Sequence, residues 1–282
     1  MSASVLMGAV AYDPKVVTIW EGFRTWLRGQ DIDFDFVLYS NYERQVTDLV
    51  EGRIDAAWNS PLAWVRARRL AAAGGVEVQA LTMRDTDRDL TSVVITRAGE
   101  IDDVAALQGA TVATGAVDSP QSTLLPLSHL RGLGLVPGRD FTVRRFDVGV
   151  GLHGDHVGGE RDAARALVAG EVDAACVIDA NLHVFAQEGT LPSGATRVLA
   201  HTAPFDHCNM TVRGDGPAAA RFGEALLAMS YADAQVRPLL DLEGLHEWVE
   251  GRVDHYDALE RAVDETGFYG ADGDVRADDY RP

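Results

Sequence analysis

The strongest constraint on this fold is a pattern that the chain uses twice. Residues 50–57 read Val-Glu-Gly-Arg-Ile-Asp-Ala-Ala, and residues 168–175 read Val-Ala-Gly-Glu-Val-Asp-Ala-Ala. Each copy places a helix end before a glycine, which tolerates the positive φ that closes a helix, and then a β-branched residue that begins a strand. The surroundings repeat as well, in the order strand, loop, helix, Gly-x-[Ile/Val]-Asp-Ala-Ala, strand, polar loop. Two α/β lobes of related design are predicted, each a mostly parallel sheet flanked by helices.

The rest of the chain fits that plan. Residues 5–11 read as a first strand ending at Tyr12-Asp13-Pro14, and Val16, Val17, Ile19, Trp20, Phe23 and Leu27 follow at mostly helical spacing. Residues 33–39 alternate as a strand, 43–50 as a helix, and 54–58 as a strand running into Asn59-Ser60-Pro61. Short strand-like segments at 92–96 and 209–213 place the passage into lobe two near Val94 and the return near Met210. Lobe one is then 1–93 plus 210–282, and lobe two is 94–209. The amphipathic stretches 222–229 and 256–263 are expected to cover lobe one, while 271–282, acidic and poor in apolar residues, is expected to fray.

The most suggestive local stretch is 111–127. It reads as a buried strand, a loop of turn formers, and a helix beginning near Ser122. Ser119, Gln121, Ser122 and Thr123 crowd that helix start with hydroxyls and an amide. Free N–H groups and the positive end of the macrodipole make such a start suitable for an anion. A serine-capped helix without a ligand is the alternative.

Composition removes several classes of partner. The 282-residue chain carries a net charge of −18, and Lys15 is its only lysine. So acidic a chain repels nucleic acid and anionic membranes, and any anionic ligand must be held by local donors. Two cysteines, Cys176 and Cys208, make no disulfide framework, and no apolar run approaches the ~20 residues of a membrane span. The N-terminal residues lack a basic region and read as domain sequence, which gives a cytoplasmic location as the expectation.

Several features, in order, are similar to the phosphate/phosphite/phosphonate-binding branch of the type 2 periplasmic binding proteins. They are Asn41-Tyr42 before a helix, Gly52-x-Ile54-Asp55-Ala56-Ala57 followed by Ser60-Pro61, Ser92-Val93-Val94-Ile95-Thr96-Arg97, and Asp103-Val104-x-x-Leu107-Gln108-Gly109. The 119–126 loop-helix, Asp162-Ala163-Ala164 with Gly170-x-Val172-Asp173-Ala174-Ala175, and Asp254-x-Tyr256-x-x-Leu259 complete them. The resemblance implies two lobes joined by two crossover strands, closing like a hinge on a small anion such as a phosphonate, phosphate ester or carboxylate, without a cofactor. It points to Tyr42, Ser119, Gln121, Ser122 and Thr123 as anion contacts, with Tyr12, Asn59 and Ser60 at strand ends beside them. Arg161 stands where the family usually has a histidine and is read as an anion clamp. Asp179, at the end of a lobe-two strand, is read as a contact for an amino group or as a helix cap. The resemblance leaves the transporter or other protein partner unassigned.

Other residues depart from the family and keep an enzyme reading open. His153 and His156 flank Gly154-Asp155 in a glycine-rich loop, and His207-Cys208 lies on the return segment. Together they are ligand types for zinc or iron, which would serve a metal-dependent lyase or decarboxylase, or an enzyme of cofactor or secondary-metabolite biosynthesis, on the same fold. Solvated loop histidines are the alternative. A direct Cys208–His207 pair is not expected, because neighbours in a strand point to opposite faces.

Overall fold

The computed structural model describes residues 3–154 and 159–282. In chain order the regular elements begin with β1 (Ala3–Val10), α1 (Lys15–Arg28), β2 (Ile32–Tyr39), α2 (Tyr42–Val50), β3 (Ala56–Asn59), α3 (Pro61–Gly74) and β4 (Val78–Arg84). They continue with β5 (Ser92–Arg97), β6 (Thr111–Thr114), α4 (Leu125–Gly132), β7 (Thr142–Arg145), α5 (Glu160–Val168), β8 (Ala174–Ile178), α6 (Asp179–Gln187) and β9 (Thr196–His201). The last are β10 (Asn209–Arg213), α7 (Pro217–Leu227), α8 (Arg237–Glu243), β11 (Trp248–Glu250) and α9 (Asp257–Thr266).

The chain divides into two compact units. The first comprises Met1–Arg88, Asp206–Tyr256 and Tyr269–Val275; the second comprises Asp89–Phe205, Asp257–Phe268 and Arg276–Pro282. Among the described residues the first holds a six-stranded sheet in the order β11-β4-β10-β3-β1-β2, and the second a five-stranded sheet in the order β7-β6-β8-β5-β9. In the first, β1 runs parallel to β2 and β3, whereas β10 is antiparallel to β3 and β4. In the second, β6 runs parallel to β7 and β8, whereas β5 is antiparallel to β8 and β9. Both sheets are mixed, with most strands running the same way: β1, β2, β3 and β4 against β10 and β11 in the first, and β6, β7, β8 and β9 against β5 in the second.

The repeated motif does the same work in both sheets. Gly52 and Gly170 take φ of 76° and 74°, ending α2 and α5. The aspartate that follows then fixes the new strand against the one already laid down. Asp55 accepts the Leu6 N–H on its carboxylate at 2.8 Å, and its own N–H donates to the Leu6 carbonyl at 2.8 Å. Asp173 does likewise with Thr111, at 2.7 and 2.9 Å. The next residues pair in register, Ala56 with Met7 and Ala174 with Val112. A one-residue slip would turn every side chain of the strand to the wrong face.

Each unit has its own core. In α1 the buried residues Val16, Ile19, Trp20, Phe23 and Leu27 recur at helical spacing. They pack with Met7, Phe34, Trp58, Met210 and Trp248 against one face of the first sheet. In the second unit the period-2 alternation of the strands separates two cores. Val93, Ala113, Ala175 and Val177 face Phe185 and Leu167, while Val94, Val112, Ala174 and Cys176 face Leu130 and Phe141.

The C-terminal region departs from the sequence expectation. Helix α9 packs on α4 and so belongs to the second unit. Nor does 271–282 fray throughout. Tyr280 is fully buried with its ring 4.8 Å from that of Phe268, the Arg276 N–H donates to the Phe268 carbonyl, and Asp279 pairs with Arg145. One tyrosine and a few backbone partners outweigh an acidic composition.

Substitutions at the second copy of the motif test this account. Gly170→Ala meets no atom within 4 Å but must hold φ of 74°, so it should destabilise the protein by about 1 kcal/mol. Gly132→Ala, also in open space but in α4 without positive φ, should be neutral or stabilising by about 0.5 kcal/mol. Asp173→Ala should cost about 1–2 kcal/mol by releasing the Thr111 N–H. Urea unfolding followed by circular dichroism measures all three.

Candidate functional site

The predicted cradle exists in the second unit and is almost wholly buried. After β6 the chain turns through 115–119 into a π-helical turn, Pro120–Leu124, which continues as α4. Ser119, Gln121, Ser122 and Thr123 are each at most 4% exposed. The Ser119 hydroxyl oxygen accepts from the Ser122 N–H at 3.3 Å and from the Ser122 hydroxyl at 2.7 Å. That leaves the Ser119 hydroxyl hydrogen as a donor. The Gln121 amide donates to the Gly154 carbonyl at 2.8 Å, which brings the glycine-rich loop onto the turn. Gly154 is required there: a Cβ would lie 2.3 Å from the Ser119 hydroxyl oxygen and 3.2 Å from its Cα.

Asp118, which the sequence reading passes over, holds this loop from beneath. Its buried carboxylate accepts the Gly151 N–H at 2.7 Å and the His153 N–H at 3.1 Å. Burial pushes the Asp118 carboxyl above the usual carboxylate range, with the His153 charge and these N–H groups opposing it. His153 itself is buried, with its φ at 52°. His156 lies outside the described residues.

Arg161 is engaged within the second unit: its Nε and Nη2 donate to Glu188 at 2.6 and 3.1 Å, and the guanidinium lies over the Phe185 ring at 5.5 Å. Asp179 is exposed at the first position of α6; the cap position is Ile178 and no side chain caps the helix, so the helix-cap alternative does not hold. The residue that links these elements is Glu160, only 1% exposed, which accepts the Ile178 N–H and the Asn181 amide, both at 2.9 Å. No sequence motif marks it apart from an acidic residue in the first turn of a helix.

The first-unit candidates have mostly internal roles. Ser60 caps α3 by accepting the Ala63 N–H at 3.1 Å. Asn59 is fully buried in a chain of side-chain hydrogen bonds. It accepts from Gln45 at 2.9 Å and donates to Thr211 at 2.8 Å, Thr211 donates to Asn209 at 2.7 Å, and Asn209 donates to Tyr256 at 3.0 Å. The Tyr256 hydroxyl ends the chain on the His207 carbonyl at 2.7 Å. Tyr42 is 1% exposed at the start of α2, whose cap is Asn41, and Tyr12 packs partly buried against the first core. Gln45 and Thr211 carry no signal in the sequence, since each is a single polar residue within an apolar pattern.

Comparison with known proteins places this geometry. The model of the family described as ABC transporter, phosphonate, periplasmic substrate-binding protein matches residues 8–256. The chain belongs to that family. Its fold is similar to that of PhnD1 from Prochlorococcus marinus (MIT 9301), solved in complex with methylphosphonate, over 95% of this chain and 99% of that one, with a TM-score of 0.67 at 15% identity. XAC2383 from Xanthomonas citri, bound to chloride, covers 94% of this chain and 98% of its own, with a TM-score of 0.70 at 18% identity; its ATP-bound form gives 0.69 at 17%. The binding-protein component of an ABC phosphonate transporter from Pseudomonas aeruginosa gives a TM-score of 0.60 at 14% identity, over 94% of this chain and 95% of that one. Comparison with proteins of curated function finds no match.

In this member of the phosphonate-binding family, the residues assigned to a metal or a nucleophile are divided between the two units. His153 lies in the second unit, and His207 and Cys208 in the first. The group that forms among the described residues of the first unit is Asp87, His207 and Cys208. Residues 206–208 precede β10 and are not strand, so the alternation rule does not apply, and the Cys208 sulfur comes within 3.1 Å of His207 Nδ1. Asp87 approaches that same nitrogen, at 3.4 Å. A Cys–His–Asp relay needs the thiol and the carboxylate on different ring nitrogens, and this arrangement does not provide it. Arg84 grips both oxygens of Asp87, at 2.6 and 2.8 Å, and sits over the Trp58 ring at 5.3 Å. A fixed guanidinium there opposes a metal cation as well. The other thiol, Cys176, is pushed up to about 12 by burial, with Glu160 adding to the effect, and is inert core.

The Arg84–Asp87 pair is accordingly a structural lock. Burial raises the Asp87 carboxyl, but the Arg84 charge and hydrogen bonds, with His207 behind them, bring it to about 2 against an ordinary 3.8. A depressed carboxyl stabilises fully above the unfolded value and loses that contribution as pH falls from about 4 towards 2. Denaturant unfolding between pH 2 and 7 should show an acid loss of about 2 kcal/mol that is absent in Asp87→Asn. Arg84→Met, which strands a buried carboxylate, should cost about 3–5 kcal/mol at pH 7.

Proposed function

We propose that this protein is a solute-binding protein for a small anion of the phosphonate, phosphate-ester or carboxylate class, and that the buried turn at 119–123 holds the anionic group. The observation that carries the reading is the buried Ser119–Ser122 hydroxyl pair at a helix start, in a chain matched to the phosphonate family over residues 8–256. Hydroxyl and backbone donors suit this chain, since a net charge of −18 leaves little attraction at long range. The methylphosphonate complex of PhnD1 supports the choice of first ligand.

Titration calorimetry with methylphosphonate, phosphate, sulfate and acetate tests the proposal. Saturable binding of at least one anion is expected. Ser119→Ala and Ser122→Ala should each weaken it by about 5–30-fold, the effect of one or two kcal/mol per lost donor. Arg161→Gln should change it by less than about 2-fold, because Glu188 already holds that guanidinium. Loss of binding in Arg161→Gln with no effect of either serine variant would overturn the assignment.

A further inference from the structure

The second unit contains a cavity that shares only Thr123 with the turn at 119–123. It has a volume of about 460 Å³ and lies between α4, β7, the turn at 137–138 and the C-terminal segment. That volume is in the range of small-molecule sites. Its wall is largely apolar, with Val117, Leu124, Leu127, Val143 and Phe268 facing it. Four polar residues, Thr123, Arg145, Thr266 and Asp279, interrupt the wall. The Thr266 hydroxyl is taken by the Ala262 carbonyl, and the Thr123 hydroxyl is buried behind the wall. The charged group that remains is Arg145, whose guanidinium pairs with Asp279 of the C-terminal segment and lies 3.4 Å from Asp147.

We propose that this cavity is a second binding site, for a small monocarboxylate with a compact apolar body. The apolar body fills the space beside Leu127 and Phe268. The carboxylate takes the place of Asp279 on Arg145. That exchange is feasible because the Asp279 side chain is 57% exposed, so water readily accepts it on release. The partner it leaves behind is a guanidinium, whose planar donors suit any carboxylate. Occupancy therefore frees the end of the chain, which is otherwise held by the Arg145 pair and by Tyr280. The cavity shares Thr123 with the anion turn, but Ser119 and Ser122, which bond to each other, are not among its lining residues.

Benzoate is a suitable probe, with benzamide as its uncharged counterpart. Calorimetric or NMR titration of the full chain should show one benzoate bound with a dissociation constant of roughly 0.1–1 mM, the strength expected of a ligand this small. Benzamide should bind at least about 10-fold more weakly, since it offers Arg145 no charge. Asp279→Asn removes the competitor and should tighten benzoate about 3–10-fold, while Arg145→Gln and the cavity-filling Leu127→Trp should abolish its binding in protein that still unfolds cooperatively. Hydrogen exchange at 276–282 should speed up when benzoate is bound. Failure of benzoate to saturate Asp279→Asn by about 10 mM would overturn the proposal, as would equal affinity for benzamide or retained binding in Leu127→Trp. None of these outcomes depends on whether methylphosphonate binds.

Discussion

Both units depend on one interaction, a carboxylate that receives an N–H of a neighbouring strand. Asp55 holds Leu6, and Asp173 holds Thr111, each through a reciprocal pair of hydrogen bonds. The positive-φ glycine places the aspartate, the aspartate sets the register, and the register decides which face Ala56, Trp58, Ala174 and Cys176 present. The cores follow, because Trp58 packs with Trp20 and Trp248 while Cys176 turns towards Leu130. A charge-assisted hydrogen bond is worth little more than one or two kcal/mol. Its larger effect is to exclude the slipped alternatives, which would bury polar faces of the sheet.

Both units carry buried polar groups. In the first, Gln45, Asn59, Thr211, Asn209 and Tyr256 bond one another in sequence down to the His207 carbonyl, with Gln45 Oε1 left over among the described residues. A network of this kind rigidifies the ends of strands. In the second, Thr123 Oγ1, Gln121 Oε1 and Asp118 Oδ1 are buried without partners among the described residues. The glycine-rich loop comes down on this turn because Gly154 has no side chain to keep it away from Ser119.

The arrangement around His207 shows why a residue list is a weak guide to chemistry. Asp87, His207 and Cys208 are three residues that catalysts and metal sites often use. Here the thiol and the carboxylate share one imidazole nitrogen, and Arg84 occupies the carboxylate. Roles follow from which atom faces which, and the relevant partner, Arg84, lies three residues before Asp87 at the end of β4.

The fold was legible in the sequence because it is written in local, repeated terms. Glycine before a β-branched residue, an alternating strand and a helical stripe such as Val16, Ile19, Trp20, Phe23 and Leu27 need no distant partner to be read. The hydroxyl turn at 119–123 was legible for the same reason, being a cap with its own residues. Long-range pairing was not. The pairing of Arg161 with Glu188 carries no local signal, and the acidic tail looked frayed until Tyr280 found Phe268. Asn59 likewise gave up its side chain to Thr211, from the other end of the chain. Sequence alone determined the two α/β units and where their strands begin. Only the tertiary structure decided which polar groups are left over, because a side chain becomes available to a ligand only after every partner within the fold has had its claim.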